Sequence, residues 1–366
     1  MINENTMEVF IINYNGKNTV LSTIESLYNS KNVKVKITVL DDHSSDDSPN
    51  LIKQRYPEIP VNILPYNSKR ANILRNKALE IAESEFVFIS DNDLKYDENC
   101  LSNLLNYMKS DDSIATCTPR MMYWDQPDKI YIAGTKVHFI GAAISDHRDK
   151  IYNNNTEVSS NSGSGICLLR RSIVDIVGGF DLNLLQGWGS DGEFYQRLLR
   201  AGYKCLYIPS AFALHEEKLV VTNRKFRVIG QTYNRWVFIF THYSLSLILL
   251  LIPAFMAYEL LQFVFVIMKG IFPQYVKGNL LVIKKFSFIL KKRRFVQSIK
   301  VVSDKDVLFS GNIYIAPALI EKHKIIKYGI NAFIFILNIY WVIIKKILYL
   351  IAIFGGVNFT HSRHNY

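Results

Sequence analysis

Acidic residues follow two apolar runs of the sequence and precede a helical segment further along. Asp91 and Asp93 come directly after the run FVFIS, and Asp41 ends the run VKITVLD. Asp191 and Glu193 lie in the stretch GWGSDGEFYQRLLRAGYK, just before a predicted helix. Carboxylates on loops can hold a divalent cation or accept a proton from a reacting hydroxyl. These five acids are therefore the first candidates for chemistry.

A reaction whose leaving group is a diphosphate would use such acids in a defined way. Negative charge grows on the diphosphate as its bond breaks, and a carboxylate-bound cation can neutralise that charge. Two unit charges about 4 Å apart interact by about 4 kcal/mol at an effective dielectric of about 20, so a cation there has a large effect. The attacking hydroxyl needs a separate base. A lone DxD pair is a weak signal, because solvated acids are common at strand ends.

The segments that must position these acids alternate between strand and helix over the first ninety residues. Apolar runs predict strands at 9–12, 35–40, 61–64 and 86–89, and helical spacing predicts helices at 18–28 and 71–82. Ser48 and Pro49 predict the start of another helix, with Ser48 as its N-cap. This alternation predicts a mostly parallel sheet with helices on its faces. Ligands bind beyond the carboxyl ends of such strands, where Asp41 and Asp91 lie.

Seven motifs occur in a fixed order along the chain: VFIINYNG, VLDDHSSDDS, NSKRANILRN, FISDND, GSGICLLRR with VGGFD, GWGSDGEFYQRLLRAG and LHEEK. This set resembles family 2 glycosyltransferases, and it is most similar to their rhamnosyltransferase-like branch. The resemblance covers about residues 7–220, and the spaced set is specific although its single members are not. It implies the GT-A fold, which is an α/β fold with a mainly parallel central sheet and helices on both faces. It also implies sugar transfer from a nucleotide-diphosphate-sugar.

On the donor side, the resemblance implies a role for four residues. Asn13 and Tyr14 would line the nucleoside pocket, Asp41 would bind the nucleobase or ribose side, and Arg75 would lie near the donor. The motif NSKRANILRN departs from the family because residues 69–70 are Lys and Arg where a glycine often stands. This basic pair would contact the diphosphate or lie in solvent at the start of a helix.

The metal ligands are also implied by the resemblance. Asp91 and Asp93 would form the DxD pair, with Asp93 as the more direct ligand of Mg²⁺ or Mn²⁺. His215 would be a further contact to the metal or to the diphosphate. A structural histidine is the alternative interpretation of His215.

On the acceptor side, the resemblance implies that Asp191 is the general base and Glu193 a supporting acid. Trp188 would face the acceptor sugar, and an ordinary core aromatic is the alternative interpretation. Ser190 stands where an acid often precedes the base in the family, so the assignment of Asp191 depends on the motif as a whole.

Composition narrows the class of partner. The chain has 366 residues, of which 49% are hydrophobic. Its formal net charge is +11, so an anionic partner is expected. Much of the positive charge lies in residues 284–285 and 291–294, beside Phe and Ile runs, which favours a membrane surface over nucleic acid. No zinc-finger, leucine-zipper or RNA-recognition pattern is present, so we expect no nucleic-acid partner.

The cysteines and the N-terminal sequence bear on the cellular compartment. The four cysteines form no CxxC pair and lie in apolar or helical contexts, which predicts reduced, buried thiols. The first ten residues, MINENTMEVF, show no charged segment followed by an apolar one. We therefore expect no cleaved signal peptide and a catalytic domain on the cytoplasmic face of the cell membrane.

The residues after about 235 are apolar and basic. The apolar stretch 243–268 contains one acid, Glu259, and one proline, Pro253, and as a helix it would be about 39 Å long against a hydrocarbon core of about 30 Å. A second apolar stretch, 330–354, is interrupted by Lys345 and Lys346. If both stretches crossed the membrane, the basic segment between them would lie outside, against the positive-inside rule.

Two features of this region favour attachment in the plane of the membrane. A break at Pro253 would fold 243–268 into a shallow hairpin. Between the two stretches, apolar residues recur at nearly helical spacing with lysines between them, which predicts a basic amphipathic helix at the interface. Crossing of the membrane is the alternative.

We therefore expect two regions: a GT-A catalytic domain at 1–222 and a membrane-attachment region at 223–366. The expected function is inverting sugar transfer from a nucleotide-diphosphate-sugar to a saccharide acceptor that is lipid-linked, in cell-surface polysaccharide or glycolipid synthesis. One alternative is direct transfer to polyprenyl phosphate. Another is a non-catalytic membrane-bound scaffold, which the intact set of acids argues against.

Overall fold

A computed structural model describes residues 6–144, 147–154, 157–185, 189–216, 224–313 and 324–354. Its strands are β1 (Thr6–Asn13), β2 (Lys34–Asp41), β3 (Val61–Ile63), β4 (Phe86–Asp91), β5 (Leu94–Tyr96), β6 (Ile114–Tyr123), β7 (Ile130–Ile132), β8 (Lys136–Val137), β9 (Ala143–Ile144), β10 (Ser159–Ser160), β11 (Cys167–Arg170) and β12 (Lys204–His215). Its helices are α1 (Val20–Tyr28), α2 (Ser48–Arg55), α3 (Ala71–Ile81), α4 (Cys100–Ser110), α5 (Arg171–Val177), α6 (Gly192–Arg200), α7 (Arg224–His242), α8 (Leu245–Met268), α9 (Phe272–Lys284), α10 (Phe286–Ser298), α11 (Asp304–Val307) and α12 (Lys324–Phe354).

The main sheet has the strand order β10-β12-β6-β11-β4-β1-β2-β3. Strands β3, β2, β1 and β4 are parallel, as the alternation of strand and helix predicts. Strand β11 enters antiparallel between β4 and β6, and β12 runs parallel to β6. The predicted α/β fold with a mainly parallel central sheet is confirmed.

Strand β1 shows how helices come to cover both faces of the sheet. Successive side chains of a strand point to opposite faces. Val9 and Ile11 pack into a cluster with residues of α1 and α4, whereas Phe10 and Ile12 pack into a second cluster with residues of α3 and α6. The two clusters leave β1 buried on both faces, which explains its unbroken apolar run.

The local predictions agree with these elements apart from their ends. Ser48 is the first residue of α2 rather than its N-cap, which is Asp47. The Asn- and Ser-rich composition of residues 153–164 is typical of a surface or binding loop. Its described part instead contributes β10 to the sheet edge, and Asn161, Ser162 and Ser164 are buried.

The helices after residue 223 share a hydrophobic core with the preceding domain. Leu247 and Phe255 of α8 and Trp341 of α12 belong to the same cluster as Phe139. Trp341 is 1% exposed and stacks on Phe139 with ring centroids 4.8 Å apart. The predicted boundary at 222/223 falls among residues outside the described ranges and stays a prediction.

Two expectations for the C-terminal region are wrong. Helix α8 continues through Pro253, so the predicted hairpin break does not exist. The single amphipathic helix predicted between the apolar stretches is two helices, α9 and α10, which are separated at Lys285. Helix α8 and residues 328–351 of α12 are long and apolar enough to cross a membrane by length and composition alone.

Candidate active site

A cavity of about 380 Å³ opens at the carboxyl ends of the central strands. It brings together five residues that the sequence singled out: Arg75, Asp91, Asp191, Glu193 and His215. Tyr131, Arg148 and residues 162–166 complete much of its wall. Residues far apart in sequence therefore converge on one pocket, as expected for a substrate site.

Beside this cavity lies a group of polar residues that we call the strand-end cluster: the half-buried Ser44 and the buried Asn13, Asp41, Ser48 and Asn92. The Asn13 amide donates to the Asp41 carboxylate at 2.6 Å and to Ser48 Oγ at 3.0 Å. Asp41 is 0% exposed and also accepts from the backbone N–H and the hydroxyl of Ser44, at 2.8 and 2.6 Å. The Asn92 amide donates to Asn13 Oδ1 at 2.6 Å. The cluster ties the loops after β1, β2 and β4 together.

The predicted residues Tyr14 and Arg70, and the neighbouring Asp42, lie at the edge of this cluster. Tyr14 is 49% exposed, so its ring is accessible for stacking. Asp42 accepts hydrogen bonds from the backbone N–H groups of Ser68 and Lys69, at 2.8 and 3.1 Å. The Arg70 guanidinium donates to the backbone carbonyl of Leu182. This side chain therefore holds the loop at Leu182 rather than pointing freely into solvent.

Arg75 and Asp91 form one wall of the cavity. Arg75 Nη2 lies 3.6 Å from Asp91 Oδ1, and the guanidinium also donates to Asn72 Oδ1 at 3.1 Å. A Cβ at Gly165 would come within 2.0 Å of Arg75 Nη2. A side chain at the second glycine of the GSG motif would therefore displace the Arg75 guanidinium from this position.

Asp93 and His215 meet where β12 pairs with β5. His215 Nε2 lies 3.6 Å from Asp93 Oδ1, and the imidazole stacks on the Tyr131 ring at 4.4 Å. The Arg148 guanidinium lies 4.5 Å from the centroid of the same Tyr131 ring. Asp93 itself is not among the described residues that line the cavity, but it adjoins the cavity through His215.

The donor atoms at this end of the cavity suit a hard divalent cation. Asp91 and Asp93 provide carboxylate oxygens, the ligand type that Mg²⁺ and Mn²⁺ prefer. Among the described residues, no three His, Cys, Asp or Glu side chains are arranged as a complete metal site. Mg²⁺ commonly binds through one or two carboxylates together with substrate phosphates and water, which fits the pair found here.

Asp191 stands at the N-terminus of α6 and also lines the cavity. Its side chain accepts a hydrogen bond from the backbone N–H of Gly192 at 3.0 Å, so it is the N-cap of the helix. Asn72 donates to the backbone carbonyl of Ser190 at 2.9 Å and fixes the preceding residue. Trp188 lies outside the described residues.

Glu193 belongs to a second buried group, the ion-pair cluster: Asp181, Glu193, Arg197, His242 and Lys292. The Glu193 carboxylate is 1% exposed and is held by Arg197 at 2.8 Å, Lys292 at 3.0 Å and His242 at 3.4 Å. Burial opposes ionisation, but the charges of Arg197 and then Lys292 outweigh it and hold the Glu193 pKa well below its usual range. Its hydrogen-bonding capacity is therefore directed to these cations.

Three features of the site were not recognised in the sequence. Arg148 and Tyr131 lie in a part of the sequence with no regular pattern, and Ser162 lies in a stretch, 153–164, whose polar composition is typical of a loop. Lys292 was assigned to the basic membrane surface. The GSG spacing was the available signal for residues 162–165, because adjacent small residues indicate close approach of the backbone.

Residues 8–176 match the sequence model of glycosyl transferase family 2. This match includes the strand-end cluster, Asp91 and Asp93, but it ends before Asp191, Glu193 and His215. The rhamnosyltransferase-like branch and the membrane tail stay predictions.

Two curated relatives are similar to part of the chain. The chain is 31% identical over 111 residues to the poly(ribitol-phosphate) beta-N-acetylglucosaminyltransferase TarP of Staphylococcus aureus (strain N315). This alignment covers 29% of this chain and 34% of TarP. It is 28% identical over 105 residues to the UDP-Glc:alpha-D-GlcNAc-diphosphoundecaprenol beta-1,3-glucosyltransferase WfaP of Escherichia coli. This second alignment covers 29% of this chain and 42% of WfaP. The chain therefore aligns with less than half the length of either relative.

A solved structure supports the fold. The crystal structure of GalNAc-T7 with UDP, GalNAc and Mn²⁺ superposes with a TM-score of 0.51 and 16% sequence identity. The match covers 66% of this chain and 49% of GalNAc-T7. At this identity the likeness concerns the fold alone.

Proposed function

We propose that the protein is an inverting glycosyltransferase that moves a sugar from a nucleotide-diphosphate-sugar to a lipid-linked saccharide acceptor. One observation carries the proposal: Arg75, Asp91 and Asp191 line a single cavity. A guanidinium and a carboxylate, with a second carboxylate in the same pocket, suit displacement of a diphosphate by a hydroxyl.

In the proposed reaction, Asp191 takes the proton of the acceptor hydroxyl as its oxygen attacks the anomeric carbon. The new glycosidic bond forms as the bond to the diphosphate breaks in line, so the anomeric configuration inverts. The Arg75 guanidinium offers positive charge near the departing diphosphate. Mg²⁺ or Mn²⁺ bound by Asp93 and Asp91 would neutralise the charge that develops on the leaving group.

The acceptor class rests on two supports. The name of TarP gives a poly(ribitol-phosphate) acceptor and that of WfaP a saccharide on diphosphoundecaprenol, so both point to cell-surface polymers or lipid intermediates. The C-terminal helices expose apolar surface that would bring the cavity beside a bilayer. We therefore place the enzyme in the synthesis of cell-surface polysaccharide or glycolipid.

The test of the reaction is nucleotide-sugar hydrolysis and transfer by detergent-solubilised protein. A panel of UDP-, GDP- and dTDP-sugars is offered with Mn²⁺, with Mg²⁺ or with EDTA, in the presence of extracted membrane glycolipids. We expect metal-dependent release of one nucleoside diphosphate and a labelled glycolipid product. Absence of both release and product with every donor would contradict the proposal.

We also propose that the C-terminal region attaches to the membrane in its plane. In α8, Leu247 and Leu251 are buried in the core shared with the catalytic domain, whereas Leu249, Met256 and Leu260 on other faces are exposed. A helix that crosses a bilayer as a single span needs lipid around most of its circumference. A helix that packs one face on a soluble domain instead offers lipid its other face.

Helix α12 supports the same arrangement. Its middle residue Trp341 is packed against Phe139 of the catalytic domain, while Phe335, Ile336 and Val342 are exposed. With α8 and α12 in the plane, the basic segment between them stays on the side of the catalytic domain. The conflict with the positive-inside rule then disappears.

Labelling of an introduced cysteine tests this arrangement. Ser298 is exposed at the end of α10, and the four native cysteines are buried. In intact cells, Ser298→Cys should react with an impermeant maleimide only after lysis. Labelling from outside before lysis would show that α8 crosses the membrane.

A further inference from the structure

We propose that Lys292 is a positioning residue of the active site, which holds Asp191 in place by bridging Asp181 and Glu193. This inference rests on the proposed role of Asp191 as the base. Lys292 comes from α10, about a hundred residues beyond the catalytic residue in sequence. Its ammonium contacts the Asp181 carboxylate and lies 3.0 Å from Glu193 Oε1.

Asp181 and Glu193 flank Asp191 in the chain, and other contacts anchor the same segments. Arg197 donates to the backbone carbonyls of Val177 and Gly178, at 2.6 and 3.0 Å, as well as to Glu193. These bonds come from within the catalytic domain. Among the residues that the structure describes, Lys292 is the cation that links the carboxylates of Asp181 and Glu193 to the C-terminal region.

The charges of the ion-pair cluster balance only with Lys292 present. Asp181 and Glu193 carry two negative charges, and Arg197 and Lys292 carry two positive charges. Burial lowers the pKa of His242 to about 4, so at neutral pH this residue adds no charge. Without Lys292, one negative charge would remain uncompensated in a buried site, which would favour movement of Asp181 or Glu193 towards water.

Helix α10 is fixed firmly enough to position an ammonium group. Arg293 donates to the backbone carbonyls of Phe240 and Tyr243, both at 2.7 Å, and Gln297 donates to those of Thr241 and His242. These bonds satisfy carbonyls at the end of α7 that have no partner within the helix. The Lys292 side chain is only 9% exposed, whereas the neighbouring Lys291 is exposed to solvent.

The experiment compares Lys292→Met, Lys292→Arg and the matched control Lys291→Met in detergent. Lys292→Met should lower kcat at least tenfold with the donor KM within twofold of wild type. Lys292→Arg keeps the charge and should retain kcat within threefold, and Lys291→Met should retain it within twofold. Wild-type kcat in folded Lys292→Met would overturn the proposal.

A fourth variant separates positioning from stability. Asp181→Asn/Lys292→Met restores the charge balance without restoring the bridge. It should regain the unfolding midpoint of the wild type but keep the reduced kcat. If kcat recovered together with the unfolding midpoint, Lys292 would act only by stabilising the fold, and the proposal would be overturned.

Hydrogen exchange gives a readout that does not depend on turnover. Peptides covering 177–185 and 189–193 should exchange faster in Lys292→Met than in the wild type, with other peptides of the catalytic domain unchanged. Unchanged exchange in those peptides would contradict the positioning role. If the wild type transfers no sugar, the proposed function fails while this measurement still decides the role of Lys292.

Discussion

The strand-end cluster and the ion-pair cluster both surround buried carboxylates, but they stabilise them differently. Asp41 accepts hydrogen bonds from the amide of Asn13 and from Ser44, which are neutral groups. Glu193 is held by Arg197 and Lys292, which are cations. Hydrogen bonds to a charged group contribute about 1.5–3 kcal/mol each, whereas loss of one partner of a buried ion pair costs about 3–5 kcal/mol.

The clusters also differ in where their residues come from. Every member of the strand-end cluster lies between residues 13 and 92, inside the stretch that matches the family 2 model. The ion-pair cluster joins residues separated by up to 111 positions and draws His242 and Lys292 from the C-terminal helices. The strand-end cluster, which we propose to bind the donor, is thus self-contained, whereas the geometry around Asp191 depends on the region that we propose to bind the membrane.

Replacement of Asp191 by Asn should have the largest effect, because it removes the proposed base. General-base catalysis contributes about 10²–10⁴-fold to the rate, so the rate of sugar transfer should fall by at least about 10²-fold. Asn is as good an N-cap as Asp, so the fold should persist. Donor binding, measured by titration with the nucleoside diphosphate, should be unchanged because the strand-end cluster is intact. Turnover close to that of the wild type would refute the base assignment.

Asp304→Asn should next break the link between α6 and the C-terminal region. Asp304 is buried and pairs with Arg200 at the end of α6 and with Lys300 at 2.8 Å. Burial raises the Asp304 pKa, but Arg200 and then Lys300 outweigh it and hold that pKa well below its usual range. Loss of the charge leaves two buried cations without their partner, so urea unfolding at pH 7 should show a loss of about 3–5 kcal/mol.

The pH dependence of this variant has a defined sign. Because the Asp304 pKa is depressed in the folded state, its stabilisation is complete above the unfolded pKa of about 3.9 and is lost as the pH falls below that value. The difference between wild type and variant should therefore shrink below pH 4. Asp306→Asn, at an exposed position of the same helix, is the control and should change stability by less than about 0.5 kcal/mol. A constant difference from pH 7 to pH 3 would contradict the assignment.

The strand-end cluster was largely predictable from sequence, and the ion-pair cluster was not. Acids after apolar runs locate the carboxyl ends of strands, and in a parallel sheet these ends share one edge. Asp41, Asp91 and the loops around them were found in this way. No local pattern pairs Asp181 with Lys292, because their contact depends on how α10 docks on the catalytic domain.

The basic run at the end of α10 shows why composition misled. Residues 291–294 were interpreted as one membrane-facing patch. In the structure Lys291 and Arg294 are exposed, while Lys292 faces Glu193 and Arg293 binds the end of α7. Adjacent helical residues differ by about 100° around the axis, so a run of four must face several directions. Pro253 misled in another way, because helix α8 tolerates it without a break.

His242→Gln should reveal the ion-pair cluster through its pH dependence. His242 faces Glu193, Arg200 and Lys292, and burial lowers its pKa to about 4, from 6.5. The folded protein holds it neutral, so protonation of the unfolded state removes stability as the pH falls from 6.5 towards 4. By pH 5 this loss amounts to about 2 kcal/mol. Gln cannot be protonated, so the urea unfolding free energy of the variant should fall less between pH 7 and pH 5; an identical fall would contradict the assignment.

Ser44→Ala should have the smallest effect and should be confined to the donor side. It removes a hydroxyl that donates to Asp41 at 2.6 Å and accepts from the backbone N–H of Asn15 at 2.9 Å. Asp41 keeps its bonds from Asn13 and from the Ser44 backbone, so the loss of stability should be about 1–2 kcal/mol.

The kinetic signature of Ser44→Ala decides whether the two clusters act separately. If Asp41 contacts the nucleoside, the donor KM should rise several-fold while kcat stays near that of the wild type, because the cluster around Asp191 is untouched. Ser45→Ala, on the exposed side of the same loop, should change neither value beyond twofold. A fall in kcat at unchanged donor KM would mean that the strand-end cluster also positions Asp191. The separation between a self-contained donor side and a helix-dependent acceptor side would then be wrong.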